Sequence, residues 1–187
     1  MAEHNFIQRK IDVLNKKDKS FAQGWDEKVI SLCERINKKE NYYTTSSCSG
    51  RVLLMLDQPK KSSGLFLWVE HGVVNLENLK KSISELNIKG LVKFKCEPPI
   101  IHLVCKTLED AEEILEKGQK SGWKNSGIIN LRNNIVVELH GTEKLELPIF
   151  EGGKFLVDDK FLLLLIEKSN QKLEKGWNLI KNLEILI

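Results

Sequence analysis

The fold of this chain has to accommodate a run of small polar residues between two segments that favour strands. Tyr42 to Thr45 favour an extended backbone, because aromatic and β-branched side chains fit a pleated sheet. Five small residues follow, and after Arg51 the apolar segment 52–56 predicts a buried strand. A turn of small residues leaves backbone N–H groups unshielded, so an anion or polar ligand can approach them closely.

The residues of this turn are therefore candidates for binding a ligand: Ser46, Ser47, Cys48, Ser49, Gly50 and Arg51. The planar guanidinium of Arg51 can hold a carboxylate or a phosphate through two hydrogen bonds. One alternative is a serine-rich turn without a ligand, since such turns are common. A second alternative is a structural Arg51 that pairs with a carboxylate such as Glu97.

Segment 45–51, Thr-Ser-Ser-Cys-Ser-Gly-Arg, resembles the signature of the tRNA wybutosine-synthesising protein 3 family. Further motifs follow in the family's order, and their members here are Trp68, His71, Glu97, Pro98, His102, Ser126 and Gly127. The resemblance extends from about Lys10 to about Lys175, which is essentially the whole chain. Several separated motifs that agree in order and spacing make this a specific resemblance.

The resemblance implies an S-adenosylmethionine-dependent methyltransferase. Its substrate would be the tricyclic 7-(3-amino-3-carboxypropyl)-4-demethylwyosine base beside the anticodon of tRNA(Phe), methylated on ring nitrogen N4. The implied cofactor is S-adenosylmethionine, and the implied partner is the anticodon arm of tRNA(Phe). The implied cofactor-binding residues are Ser46, Ser47, Cys48, Ser49, Gly50, Arg51, Trp68, Ser126 and Gly127, and the implied catalytic residues are His71, His102 and Glu97.

Side-chain chemistry suggests a functional role for each of these residues, and each residue also has a purely structural interpretation. A histidine suits proton removal near neutral pH, which makes His71 and His102 candidate bases, although a lone histidine on an apolar strand is often a core residue. Glu97, before two prolines, is a directed carboxylate or a solvated turn residue. Trp68 or Trp123 could contact an adenine, or could simply pack in the core.

The pattern of predicted elements indicates an α+β fold. The order strand–helix–strand occurs twice, over residues 65–95 and 100–131. We expect duplicated units that build a mixed or antiparallel sheet with helices packed on it, plus N- and C-terminal helices. No G-x-G-x-x-G follows a strand, so the pattern does not support a Rossmann domain. The length favours a single domain over residues 1–187.

Local signals place several element boundaries. Asp26, Asn75, Thr107 and Asp158 are predicted helix N-caps. Residues 128–131 and 135–139 are predicted to form a hairpin. Segments 16–20 and 58–64 are predicted polar connections.

Charge is unevenly distributed along the chain. Residues 1–95 carry 17 basic and 11 acidic side chains, a net charge of +6, whereas residues 96–187 carry 12 and 15, a net charge of −3. A basic half can attract a polyanion such as tRNA, although a lysine-rich solvated surface gives the same count. The lysines predicted to contact phosphates are Lys16, Lys17, Lys19, Lys38, Lys39, Lys60 and Lys61.

Cysteine usage and hydropathy exclude several other classes. Four cysteines without a C-x-x-C pair favour neither a disulfide scaffold nor a metal site, and Cys33 and Cys105 are predicted core residues. The longest apolar run, 161–166, has six residues, far fewer than the roughly 18 that a membrane helix needs. The sequence therefore predicts a cytoplasmic protein.

Two other functions remain open. The chain could be a non-catalytic tRNA-binding module, or an interaction protein that uses the helix face around Trp177. If the chain is the enzyme, the 46–51 turn is expected to form one pocket with Trp68, His71 and His102.

Overall fold

A computed structural model describes residues 2–15, 26–58, 64–85 and 90–187. The predicted polar connection at 16–20, and most of the one at 58–64, lie outside the described residues. So do five of the seven lysines predicted to contact phosphates, namely Lys16, Lys17, Lys19, Lys60 and Lys61. The other two, Lys38 and Lys39, are exposed at the end of the second helix.

The described residues form five α helices and nine β strands, which confirms the α+β class. The helices are α1 (Ala2–Leu14), α2 (Glu27–Lys38), α3 (Leu76–Ser84), α4 (Leu108–Lys120) and α5 (Asp159–Leu186). The strands are β1 (Tyr42–Cys48), β2 (Arg51–Leu56), β3 (Phe66–Glu70), β4 (Val92–Glu97), β5 (Ile100–Cys105), β6 (Gly127–Asn130), β7 (Ile135–His140), β8 (Leu145–Glu151) and β9 (Lys154–Phe155).

The predicted helix caps are all present. The side chains of Asp26 and Asn75 accept hydrogen bonds from backbone N–H groups at the start of α2 and α3. Thr107 forms a capping box at α4, and Asp158 Oδ1 accepts from Phe161 N at α5. Among the described residues, none of the helices combines the length and the apolar character that a membrane crossing requires.

The strands divide into two antiparallel sheets instead of the single sheet that the order of elements suggested. The four-stranded sheet has the order β1-β5-β7-β6, and the five-stranded sheet has the order β3-β2-β4-β8-β9. β1 and β2 are adjacent in the chain but belong to different sheets. The turn between them contains Gly50 at φ 97°, a backbone conformation that favours glycine. This turn therefore connects two sheets and does not close a hairpin.

Each sheet contains one of the two predicted strand–helix–strand units. β3 and β4 both pair antiparallel with β2, so they run parallel to each other on either side of it, and α3 connects them. β5 and β6 flank β7 in the same way, and α4 connects them. The duplication is thus two split β-α-β units, each with a third strand between its own two. β6 and β7 form the predicted hairpin.

The chain forms two compact units. The first unit consists of Met1–Ser49, Pro99–Thr142 and Gly176–Ile187, and it contains the four-stranded sheet. The second unit consists of Gly50–Pro98 and Glu143–Lys175, and it contains the five-stranded sheet. Helix α5 contributes its first part to the second unit and its last part to the first. The single domain expected from length stays a prediction.

The core of the first unit lies between one face of its sheet and the helices α2, α4 and α5. Its members include Val29, Leu32 and Ile36 of α2, Ile101, Leu103, Val137 and Leu139 of the sheet, Ala111 and Ile114 of α4, and Ile180 and Leu183 of α5. Cys33 and Cys105 are buried among them, as predicted, and this burial raises the pKa of Cys33 to about 11 and that of Cys105 to about 12. Both thiols are therefore neutral at physiological pH and act as small apolar side chains.

The second unit has a core of its own. The alternation along β4 buries Val92, Phe94 and Cys96, while the lysines between them stay half-exposed. Burial raises the pKa of Cys96 to about 11, and its thiol donates to the backbone carbonyl of Ser169. This strand therefore has one apolar face and one charged face.

Candidate functional site

Three polar side chains form a hydrogen-bonded row across the four-stranded sheet. Ser46 Oγ lies 2.8 Å from His102 Nδ1, and His102 Nε2 lies 2.6 Å from Glu138 Oε2. These residues occupy neighbouring strands at matching register positions, because Ser46 pairs with His102 and His102 pairs with Glu138. We call them the Ser46–His102–Glu138 row. The sequence motifs suggested different roles for Ser46 and His102, and the structure brings the two together.

A β-bulge places Ser46 in this row. The register between β1 and β5 shifts between Thr44 and Ser46, since these two residues pair with the consecutive residues Leu103 and His102. Thr45 is the extra residue, and its Oγ1 donates to the His102 carbonyl at 3.3 Å. A bulge turns the following side chains to the other face of the strand. Without it, the Ser46 side chain would lie on the face that carries the core.

The row lies on the sheet face opposite the helical core. Ile101 and Leu103, on either side of His102 in the chain, are buried in the core, so His102 points to the other face. The His102 and Glu138 side chains keep 28% and 29% of their surface accessible, and Ser46 is exposed. His102 is therefore not a core residue, although it lies on an apolar strand.

The order of groups in the row matches one neutral tautomer of His102. In the neutral tautomer that donates Nε2–H to Glu138, Nδ1 carries the lone pair and accepts the proton of the Ser46 hydroxyl. A carboxylate, an imidazole and a hydroxyl in this order can draw a proton away from the hydroxyl oxygen, and the carboxylate stabilises the imidazolium that forms. The Ser46 oxygen can therefore accept a proton from a bound molecule while the proton of its own hydroxyl group passes to His102.

Ser49 and Ser47 of the predicted binding turn form hydrogen bonds with other residues of the protein. The N–H and hydroxyl of Ser49 both donate to Asp26 Oδ2, and Ser49 is fully buried. Ser47 hydrogen-bonds the Cys33 thiol, and Cys48 is half-buried at the end of β1. The donors that were expected to face a ligand at Ser49 instead anchor the turn to the start of α2.

Ser126, which the resemblance implied for cofactor binding, also hydrogen-bonds within the protein. The Ser126 hydroxyl donates to the Trp123 carbonyl at 2.8 Å and accepts from His140 N at 3.1 Å. Gly127 begins β6 and pairs with Glu138, at the end of the row formed by Ser46 and His102. This position places a residue without a side chain beside the Glu138 carboxylate.

Arg51 and Glu97 form an ion pair in the five-stranded sheet. They are direct partners in the register of β2 and β4, and Arg51 Nε lies 2.8 Å from Glu97 Oε2. The Arg51 guanidinium also lies over the Phe66 ring, with Cζ 5.2 Å from its centroid. Phe66 is 48% exposed, so this face offers a cation beside an accessible aromatic ring. No motif in the sequence singled out Phe66.

The register separates Arg51 from Trp68. Trp68 pairs with Leu54, three residues along β2, so its side chain lies on the opposite face of the sheet from Arg51. The expected shared pocket is therefore not supported for this pair. His71 follows β3 directly, and the Glu70 carboxylate beside it accepts from Gly72 N at 2.7 Å.

Trp123 was wrongly considered as an adenine contact. It is fully buried in the core of the first unit, and its Nε1 donates to the Leu179 carbonyl at 3.1 Å. The alternative, packing in the core, is the one that the structure shows. The indole thus points inward, against the last part of α5.

Glu138 is the member of the Ser46–His102–Glu138 row that the sequence did not single out. It is the one charged residue of β7, where the neighbouring strand residues are mostly apolar. A lone carboxylate on a sheet strand indicates a partner, since burying a charge without one is costly. The partner could not be identified from the sequence because it depends on strand register.

Comparisons with known proteins agree with the motifs. The family model described as Methyltransferase TYW3 matches residues 5–187. The chain is 32% identical over 186 residues to the tRNA(Phe) 7-((3-amino-3-carboxypropyl)-4-demethylwyosine(37)-N(4))-methyltransferase of Thermococcus sibiricus, covering 97% of this chain and 94% of that one. It is 33% identical to the tRNA wybutosine-synthesizing protein 3 homolog of Mus musculus, covering 91% and 68%. The solved structure of the PH1069 protein from Pyrococcus horikoshii matches with a TM-score of 0.87 and 31% identity, covering 98% and 94%.

Proposed function

Because this chain belongs to the Methyltransferase TYW3 family, we propose that it methylates N4 of 7-(3-amino-3-carboxypropyl)-4-demethylwyosine in tRNA(Phe). The names of relatives that align over nearly the whole chain support this reaction. The methyl donor is S-adenosylmethionine, and the substrate is bound through the anticodon arm, which carries the modified base beside the anticodon. The observation that carries the proposal within this chain is the Ser46–His102–Glu138 row.

The row supplies the proton transfer that methylation of a ring nitrogen requires. When the new N–CH3 bond forms and the S–CH3 bond breaks, the proton on the ring nitrogen has to leave. The exposed Ser46 oxygen accepts this proton while its own proton passes to His102 Nδ1, and Glu138 stabilises the imidazolium. Two short hydrogen bonds fix the imidazole before the substrate arrives, which lowers the cost of reorganisation.

Arg51 and Phe66 fit the donor's functional groups. S-adenosylmethionine supplies an electrophilic methyl group on a sulfonium, and it carries a carboxylate and an adenine. The Nε–H group of Arg51 is paired with Glu97, and its remaining guanidinium N–H groups would hold the carboxylate of the donor. The exposed Phe66 ring on the same face is the aromatic surface for the adenine, in place of Trp68.

A methyl-transfer assay tests the function. The protein is incubated with isotopically labelled S-adenosylmethionine and tRNA(Phe) that carries the demethylated tricyclic base, and the digested nucleosides are analysed by mass spectrometry. We expect one labelled methyl group on the tricyclic base and none on a tRNA(Phe) transcript without that base. Tight binding of the modified tRNA without any methyl incorporation would instead identify a non-catalytic tRNA-binding module.

Replacing Arg51 tests its role in donor binding. We expect Arg51→Ala to cost about 2–4 kcal/mol of donor affinity, because it removes the charge-assisted hydrogen bonds to the donor carboxylate. Arg51→Lys should recover only part of it, since a lysine keeps the charge but lacks the planar fork. Calorimetric titration with S-adenosylmethionine measures both effects.

Arg35 provides a matched control for this series. Like Arg51, it pairs with a glutamate through Nε, here Glu184 Oε1 at 3.2 Å. Arg35→Ala should leave donor affinity unchanged. If Arg51→Ala lowers only the melting temperature and the folded protein binds the donor normally, Arg51 is structural and holds Glu97.

A further inference from the structure

A cavity of about 360 Å³ lies between α1, the end of β5 and the β6–β7 hairpin, all in the first unit. We call it the basic pocket, and its polar lining consists of Asn5, Arg9, Lys106, Arg132, Asn133 and Asn134. None of its lining residues, all of which belong to the described part of the chain, is acidic. Three cations and three amides thus line this space, and its described lining residues supply no carboxylate.

The arginines of this pocket differ from those elsewhere in the described chain. Arg35 and Arg51 each pair with a glutamate. Arg9 instead donates from Nη1 to the Asn133 carbonyl at 3.1 Å and to Asn134 Oδ1 at 2.7 Å, which are neutral acceptors. Among the described residues Arg132 has no ion-pair partner, and its side chain is exposed. Positive charge that is held in place but not neutralised favours binding of an anion.

The rest of the lining is apolar and partly aromatic. Phe6 of α1 lines the pocket, with its ring centroid 5.3 Å from that of Tyr43, which fixes the aromatic wall against the sheet. Leu131 lines it too, although 62% of its surface is exposed. Cations beside exposed apolar and aromatic groups are the combination that single-stranded nucleic acids require, since it accommodates both a phosphate and a base or sugar.

The basic pocket opens on the same sheet face as the Ser46–His102–Glu138 row. Val104 lines the pocket, and it lies two residues after His102 in β5, so their side chains point to the same face. Two residues along a strand span about 7 Å. In a stacked nucleic-acid strand that distance corresponds to about two nucleotides.

From this geometry we propose that the basic pocket binds a phosphodiester of the substrate RNA, together with the adjoining sugar or base, about two nucleotides from the base that is methylated. This inference rests on the proposed function for the identity of the RNA. Arg9 and Arg132 hold the phosphate, and Phe6 and Leu131 contact the apolar part of the nucleotide. Such phosphate contacts position the strand without reading its sequence.

Binding of an RNA hairpin with the sequence of the tRNA(Phe) anticodon arm tests the site. We expect Arg132→Ala and Arg9→Ala each to weaken binding about tenfold, measured by fluorescence anisotropy. The slope of log affinity against log salt should fall by about 0.7 for each phosphate that is no longer neutralised. Lys181→Ala is the control, because Lys181 is an exposed cation of the same unit on helix α5, whose nearby residues pack on the other face of the sheet. It should bind the hairpin like the wild type.

Further measurements separate this inference from the proposed function. With the modified tRNA, Arg132→Ala should raise KM for the RNA and leave kcat unchanged. A loss of folded protein alone would instead lower kcat. Thermal melts check that both variants are folded. If the wild-type protein does not methylate the tRNA but its RNA affinity depends on Arg9 and Arg132, the proposed function is wrong and the proposed RNA site still holds. If both folded variants bind RNA with the affinity and salt dependence of the wild type, the proposed RNA site is wrong. It is also wrong if low concentrations of a free nucleoside monophosphate displace the hairpin.

Discussion

The variant His102→Gln should lower kcat for methyl transfer by about 10²- to 10⁴-fold, the usual range for losing a general base. Glutamine can still hydrogen-bond Ser46 and Glu138, but it cannot accept a proton at neutral pH. The ring lies 2.8 Å from Ser46 and 2.6 Å from Glu138, so its loss removes the only titratable group between them. Single-turnover rates with saturating donor and modified tRNA measure the effect without interference from product release.

Two further variants show how the row acts. Glu138→Gln keeps the shape of the carboxylate but loses its charge, so we expect a smaller decrease in kcat, about tenfold, with donor and RNA affinities unchanged. His140→Gln is the matched control, because His140 lies on the same strand as Glu138, and the hydrogen bonds described for it involve only its backbone. A folded His102→Gln protein with the kcat of the wild type would exclude proton transfer through this row.

Trp123→Ala should lower the free energy of unfolding by about 3–5 kcal/mol, the largest loss of stability that we expect from a single substitution here. The indole is fully buried, so its removal leaves a cavity and deletes many packing contacts. The Leu179 carbonyl would also lose the hydrogen bond from Nε1. Chemical denaturation followed by circular dichroism measures the change, because the signal does not depend on the tryptophan removed.

Two comparisons sharpen this measurement. Trp123→Phe keeps most of the volume and should cost less than the alanine variant. Ile129→Ala, at a position 55% exposed in the same unit, should change stability by no more than about 0.5 kcal/mol. A loss for Trp123→Ala as small as that for Ile129→Ala would mean that the turn at Trp123 is not part of the cooperative core.

Local signals predicted the elements of this fold well. Helix caps such as Thr107 and the apolar periodicity of α4 act over a few residues, so they can be read from the sequence directly. The division into two sheets depends instead on which strands pair, and residues distant in the chain determine it. The small-residue turn before Arg51 gave no indication that β1 and β2 would join different sheets.

The candidate site was predictable only in part for the same reason. Family motifs singled out Ser46 and His102, but their contact depends on a bulge at Thr45 that residue types do not reveal. Glu138 joins them through the β5–β7 register, 36 residues after His102. The pairing of Arg51 with Glu97 was expected only as the structural alternative for Arg51, and the β2–β4 register makes the two residues direct partners.

The interleaving of the two units along the chain has a consequence for how the protein is made. The chain passes from one unit to the other after Ser49, Pro98, Thr142 and Lys175. Proteins are synthesised from the N-terminus, and a contiguous domain can fold while the remainder is still being translated. Here the core of the first unit includes Ile180 and Leu183, which follow the whole of the second unit in the chain. The earlier strands and helices of the first unit therefore cannot complete their core until the second unit has also been translated.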